Sequence, residues 1–317
     1  MQRYFGRVWV CKVRDDWCQS AYRGTFPTSG ERQNWTAFEV SSFAPTSLEL
    51  TLLQSEHRAR RDRDKDSADL GLAVLRAPRV DQHDWGSATL AASAERKVES
   101  SQNCETFLDA PEGGKYLVLP MAFNQFNKGA SPTFSVLFHS NQPLVVDKVV
   151  GVPPSTVARA LYLMASTGTS RKIKRSGLGV AGATLLALNE GGTVLVVENL
   201  TNTTVKISVD CNGENIVASR GTMRTEDAVP PMSFQIINIL TQAIEGTGYS
   251  IQYSMRSSTV PQMFGAAAES HRPLVSQGSI HAVSMMGDGG GSDDGGSGSQ
   301  RGGGNRPFGF GALAGLF

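Results

Sequence analysis

The sequence predicts a mainly β fold, tandem antiparallel β-sandwich units with one short helix. Three observations carry this prediction. Short runs alternate apolar and polar residues with a period of two. Turns rich in Gly, Pro, Asn and Asp separate those runs. One stretch alone shows the periodicity of an amphipathic helix.

Arg3 to Val13, containing GRVWVCKV, reads as a strand, and DDWCQSAYRGTFPTSGERQNW (15–35) as a polar loop. From Ser47 to Gln54, Leu48, Leu50 and Leu52 share one face of a strand. The charge run HRARRDRDKDS (57–67) has no apolar face and reads as a solvated connection to a strand at Leu70–Ala77. Thr89 to Val98 fits neither template, and NCETFLDA (103–110) reads as a short strand. In PEGGKYLVLPMAFNQF (111–126), a turn runs into a strand with Pro120 at its middle. Proline has no amide hydrogen, so this predicts an edge position or a bulge. TFSVLFHS (133–140) places Phe134, Val136 and Phe138 on one face, and the first unit closes near Asn141.

SNQPLVVDKVVGVPP (140–154) reads as a boundary. STVARALYLMAST (155–167) predicts the helix, capped by Ser155 or Thr156, with Ala158, Leu161 and Met164 on one side. SRKIKRSG (170–177) reads as a basic turn. Residues 183–211 hold two or three strands, with NLTNTT (199–204) as a turn of local backbone hydrogen bonds. Two further strands lie around Phe234–Thr241 and Tyr249–Met255, joined through Gly246 and Gly248. From Val260 the pattern decays. The glycine-rich end offers too little apolar surface to offset the entropy of ordering it, so disorder is expected from about Ala266.

A chain of 317 residues, 40% apolar, suffices for one large domain or two ordinary ones. Its net charge of +1 gives no argument for a nucleic-acid partner or an acidic substrate. Cys11, Cys18, Cys104 and Cys211 form no CxxC pair and no zinc spacing, and read as reduced thiols of an intracellular, cytoplasmic protein. MQRYFGRVWVCKV is broken by Arg7 and is no signal peptide. No window approaches the about 20 apolar residues of a transmembrane segment.

No catalytic constellation emerges. Of His57, His83, His139, His271 and His281, only His139 lies in a well-defined strand, and nothing local pairs it with a nucleophile. Asp15 and Asp16 disfavour a thiolate at Cys18. Asp62, Asp64 and Asp66 alternate like calcium ligands, but Arg61, Arg63 and Lys65 interleave, and the Gly and Glu of a calcium loop are missing. A solvated loop is the simpler reading there; a weak calcium or acidic-lipid surface is the other. SRKIKRSG is either an exposed turn or a contact for a phosphate group or acidic partner. LGVAG and NEGGT lack phosphate-loop spacing. Sequons at Asn34, Asn199 and Asn202 matter only on a secretory route. No catalytic, cofactor-binding or metal residue is therefore assigned, and no cofactor is expected.

LDAPEGGKYLVLPMAF followed by TFSVLFHS resembles the calpain-type, C2-like β-sandwich that follows the protease core in calpains. The residues are Pro111, Gly113, Gly114, Tyr116, Pro120 and Phe123, then Phe134 to Ser140. VCKVRDDW with RGTFP resembles the junction after the core in the small optic lobes subfamily. Thr193–Asn199, Ser219–Pro231 and Gln235–Gln242 resemble that subfamily's C-terminal region. The likeness spans roughly Tyr4 to Met255. It implies that 1–13 is the end of a protease core, 14–142 the calpain-type sandwich, 143–258 a second β-rich unit, and 259–317 a disordered tail. No residue corresponds to the family's catalytic Cys, His or Asn, and the subfamily's zinc fingers are not found in the sequence. Where the family has an acidic loop, Arg58–Asp66 is mixed in sign, and Lys115 stands where it usually has an acid before the tyrosine.

The resemblance implies a non-catalytic, regulatory or structural C-terminal region of a cysteine protease. It would support intracellular proteolysis only when joined to its partner, the protease core. The alternative is a stand-alone module that binds protein or acidic lipid.

Overall fold

The computed structural model describes residues 14–27, 35–54, 68–77, 85–99, 101–109, 114–123, 133–167, 172–244, 247–260 and 279–286. The first strands are β1 (Cys18–Thr25), β2 (Trp35–Ser42), β3 (Thr46–Gln54), β4 (Asp69–Arg76), β5 (Thr89–Val98), β6 (Ser101–Leu108), β7 (Tyr116–Ala122), β8 (Thr133–Ser140) and β9 (Leu144–Val152). Helix α1 (Pro154–Thr167) follows. Then come β10 (Ile173–Gly177), β11 (Ala183–Asn189), β12 (Gly192–Asn199), β13 (Thr204–Asn212), β14 (Ile216–Ala218), β15 (Arg224–Val229), β16 (Ser233–Gln242), β17 (Gln252–Val260) and β18 (Ser284–Met285).

Among the described residues all pairings are antiparallel and form four sheets. Their strand orders are β1-β8-β3-β6, then β5-β4-β7-β2-β9, then β10-β11-β12-β16-β14 with β18 also on β16, then β15-β13-β17. The protein is thus a tandem antiparallel β-sandwich, with one α-helix among the described residues.

Alternation along the strands produces three stacked cores. Leu48, Leu50 and Leu52 of β3 meet Leu70, Leu72 and Val74 of β4 inside the first sandwich. Leu185, Leu195 and Ile237 meet Val205, Ile207 and Val209 inside the second. The third core lies between the sandwiches. There Ala73, Leu75, Leu117 and Leu119 from one sheet and Leu186, Val194, Val196 and Ile236 from the other enclose α1. Both inner sheets are apolar on both faces, as sheets covered on both sides must be.

The helix explains its own composition. The predicted stripe of Ala158, Leu161 and Met164 is buried, but so are Val157, Ala160, Leu163 and Ala165. A helix apolar nearly all round belongs between two layers. Its start differs from the expected caps. Pro154 occupies the first helical position, where a missing amide costs nothing, and the Thr156 amide donates to the Pro153 carbonyl at 3.0 Å.

Several expected loops are strands. CQSAYRGT, read as loop, forms edge strand β1 on β8. Its Gly24 lies under Phe134, whose ring would stand 2.3 Å from an added Cβ. The expected boundary at 140–154 contains β9, which pairs with β2 from Ser42↔Leu144 to Trp35↔Val152. The first sandwich therefore runs past residue 142. The expected basic turn contains edge strand β10. Disorder from Ala266 does not hold at 279–286, where β18 pairs with β16.

Pro120 is not on an edge strand, since β7 lies between β4 and β2. Its pairing with β2 covers only Tyr116 to Val118, while Leu72 pairs with Pro120 on the other side. The missing amide falls where one ladder has stopped. The strand-like Arg3–Val13, the charge run with Asp62, Asp64 and Asp66, and the distal glycine-rich end lie outside the described residues.

Candidate functional site

The junction between the sandwiches is built on Arg96 of β5. Its side chain is 1% exposed and that of its partner, Asp69 of β4, is 0% exposed. Arg96 Nε donates to both carboxylate oxygens at 2.9 Å, and Nη2 donates to Oδ2 at 2.6 Å. Nη2 also reaches across to the Leu240 carbonyl of β16 at 2.9 Å. The guanidinium carbon sits 4.7 Å from the Phe123 ring centre. Burial pushes the Asp69 carboxyl above its usual range, and the Arg96 charge opposes that shift. One buried cation thus ties β4, β5 and β16 together.

The opposing surface is the turn between β11 and β12, the NEGGT segment. Gly191 has φ +60°, and a Cβ there would lie 2.7 Å from the Arg96 carbonyl. At Gly192 a Cβ would lie 2.2 Å from the Leu240 carbonyl and 2.5 Å from Arg96 Nη2. These glycines permit close backbone approach rather than phosphate binding. Lys172 beside the turn pairs with Glu95 of β5.

A second polar cluster closes the outer edge of β16. β18 covers Ser233 and Phe234, and β14 covers Leu240 to Gln242. Between them a bulge sets Val196 opposite Ile236 and Leu195 opposite Asn238. His281, 4% exposed, fills this gap. Its Nδ1 is 2.8 Å from the Ile236 carbonyl, and its Nε2 is 3.0 Å from Ser219 Oγ. A carbonyl only accepts, so Nδ1 carries the proton and Nε2 accepts from Ser219. Burial lowers the imidazole pKa to about 4, the Ile236 hydrogen bond opposes the shift, and the charge of Arg220 adds to it. The ring is neutral.

Ser219 and His281 have the spacing of a nucleophile and its base. Their remaining bonds serve the edge instead: Ser219 Oγ accepts the Ile239 amide at 2.9 Å, and Asn238 Oδ1 lies 3.2 Å from it. Gln235 Nε2 donates to the His281 carbonyl at 2.9 Å and to Asp227 Oδ1 at 3.0 Å. Arg220 pairs with Asp227 at 2.6 Å. Burial raises the Asp227 carboxyl, while the Arg220 bond opposes it.

Other sequence candidates are dispersed. His139 sits between Gln19 of β1 and Glu49 of β3. Cys18 is exposed, whereas Cys104 and Cys211 are buried, with burial raising both thiols to about 11. In the basic segment Arg175 donates to the Ser166 carbonyl at 2.5 Å and Lys174 lies 5.9 Å from the Tyr253 ring. Lys115 pairs with Glu39 at 2.6 Å, and the neighbouring Tyr116 hydroxyl donates to Asp109. An open cleft of about 550 Å³ beside β9 is lined by Trp85, Lys115, Asp147 and Val149. Among the described residues no group of three His, Cys, Asp or Glu side chains gathers to hold a metal, and no helix is long and apolar enough to cross a membrane.

Asn199, the second sequon, is 0% exposed. Its Nδ2 donates to the carbonyls of Thr203, Val229 and Pro230 at 2.8–2.9 Å, and its Oδ1 accepts from the Thr201 amide and hydroxyl. The expected turn hydrogen bonding is there, and the side chain is inaccessible to a glycan.

Sequence reasoning missed Asp69, Arg96 and His281 as organising residues. The first two are 27 positions apart and share no motif. For His281 there was a local signal: SIHAVSMM (279–286) is an apolar island between Gly278 and Gly287.

Fold and junction together define a tandem β-sandwich module whose buried polar groups join layers and close a sheet edge. Residues 163–262 match the family model described as Calpain-D-like, C-terminal domain. The match begins inside α1 and runs through β17, so this stretch, just under a third of the chain, is similar to a calpain C-terminal domain.

Proposed function

We propose that the chain is the non-catalytic C-terminal region of a calpain-type cysteine protease of the small optic lobes kind. Its role is to brace the protease core and present regulatory surfaces. The observation that carries this reading is the similarity of 163–262 to a calpain C-terminal domain. The residues quoted for the calpain-type sandwich support it from the other side of the junction: Tyr116 and Pro120 lie in β7, and Phe134 to Ser140 in β8. The buried Arg96 bond to Leu240 makes the two sandwiches one brace.

A protein-binding role is favoured over a lipid-binding one by two observations. Edge strand β9 pairs on one side only among the described residues, with β2, and exposes Val145 and Val150 on its two faces, leaving its outer backbone edge open to another chain. The basic segment spends Lys172, Lys174 and Arg175 on contacts within the chain. The test is casein hydrolysis by a papain-like core expressed with this chain in cis, by the core alone, and by the chain alone. The proposal expects activity that depends on the fused chain and none from the chain by itself. Hydrolysis by the purified chain, abolished by thiol alkylation, would overturn it.

A further inference from the structure

The edge of β16 is completed by a segment that arrives from far along the chain. Buried backbone groups need partners, and β16 finds them piecewise: the Ile236 carbonyl meets the His281 ring, and the Ile239 amide meets Ser219. Ile280, beside His281, is fully buried in the core that holds α1. Tyr162 of α1 stacks on Phe234 at 4.3 Å, directly where Ser284 pairs. The Met286 amide donates to the Met232 carbonyl at 2.8 Å. The family match ends at residue 262, before this segment begins.

Ile280 and His281 are the two central residues of a β-turn closed by the Ala282 amide on the Ser279 carbonyl at 3.0 Å, and these contacts are of the kind that recognises a peptide turn. Main-chain pairing to β16 follows at Ser284 and Met285, an apolar pocket takes an aliphatic side chain, and one acceptor and one donor read the two nitrogens of an imidazole. Gln235 adds an amide donor to the main-chain carbonyl of His281 itself. From this we infer that the β16 edge is a peptide-recognition cleft for a protein segment carrying an aliphatic–histidine pair at the corner of a β-turn, filled here by the chain's own Ile280–His281. A partner protein bearing such a pair competes with the chain's own segment for the cleft. The inference goes beyond the calpain reading and does not depend on a protease core.

The probe is a fluorescein-labelled peptide of sequence SIHAVSMM, residues 279–286. It is titrated by anisotropy against the full chain and against the full chain carrying Ile280→Asp and His281→Ala. The double variant is expected to bind at least ten-fold more tightly than the unaltered chain, whose cleft is occupied. A peptide with Ala in place of its His is expected to bind the variant at least ten-fold more weakly. Equal binding by both chains, or indifference to the peptide's histidine, would overturn the inference. Should the variant fail to fold, the peptide is added in excess to the unaltered chain and hydrogen exchange is followed at the His281 and Met286 amides. Faster exchange supports the cleft, and unchanged exchange overturns it.

Discussion

Replacing Arg96 with Met tests whether one buried cation holds the two sandwiches together. The substitution keeps a long apolar stem against Phe123 but removes every donor that Asp69 receives from Arg96, three contacts of 2.6–2.9 Å. Asp69 is fully buried, so losing its cation costs about 3–5 kcal/mol. That corresponds to a roughly hundred- to several-thousand-fold loss in the folding equilibrium. Urea denaturation followed by tryptophan fluorescence suits the case, because Trp35 and Trp85 are both buried in the core around α1. The deficit relative to the unaltered chain is expected to shrink at pH 5 compared with pH 8. Without Arg96 to oppose the effect of burial, Asp69 has its pKa raised above the unfolded value, so stability is lost as pH rises and regained as the carboxyl takes up a proton. Adding Asp69→Leu removes the buried carboxyl and is expected to restore much of the loss. What remains is the bond to the Leu240 carbonyl, worth about 1.5–3 kcal/mol. A single variant costing under about 1 kcal/mol, or a double variant no more stable than the single, would refute the reasoning.

Gly192→Ala should cost about 1–3 kcal/mol by overpacking, since its Cβ meets the Leu240 carbonyl at 2.2 Å; an unchanged urea midpoint would contradict the tight junction. Asn199→Asp keeps the acceptor but turns an oxygen toward three carbonyls, so a loss of about 3 kcal/mol is expected; a neutral result in thermal denaturation would show that those bonds contribute little. His281 has a folded pKa of about 4, below its unfolded value. Its contribution is therefore fully present above pH 6.5 and is lost as the pH falls toward 4, amounting to about 2 kcal/mol at pH 5. Arg220 and Asp227 share the cluster; burial raises the Asp227 carboxyl, so its proton uptake on acidification works against the loss at His281. Intrinsic-rate-corrected hydrogen exchange at residues 279–286 should accelerate between pH 7.5 and 5, and a flat profile would show that the imidazole is not held neutral.

Fold class was legible because burial on one face writes itself into alternation. Leu48, Leu50 and Leu52 predicted β3, and Phe134, Val136 and Phe138 predicted β8, both as found. Edge strands were the harder case. β1 and β10 bury only part of one face, so CQSAYRGT and IKRSG look like loops in sequence. Their strand character comes from pairing with β8 and β11. β9 was read as a boundary for the same reason: its exposed Val145 and Val150 carry no alternation toward a core. Pro120 illustrates a rule applied with too little context. Proline is excluded from a hydrogen-bonded position, and a central strand can offer a free one where its neighbour's ladder ends.

The sequence by itself determined the local terms. It set which stretches alternate, where the helix lies, which turn Asn199 stabilises, and that no familiar catalytic or metal spacing is present. Only the tertiary structure decided that α1 is the filling between two sheets, that Arg96 finds Asp69 and then Leu240, and that His281 returns to close β16. The physical reason is the range of the interactions. Alternation and helix periodicity are properties of neighbours along the chain. A buried ion pair or an imidazole under a bulge joins residues tens to more than a hundred positions apart, and its worth exists only once burial has removed water from both partners.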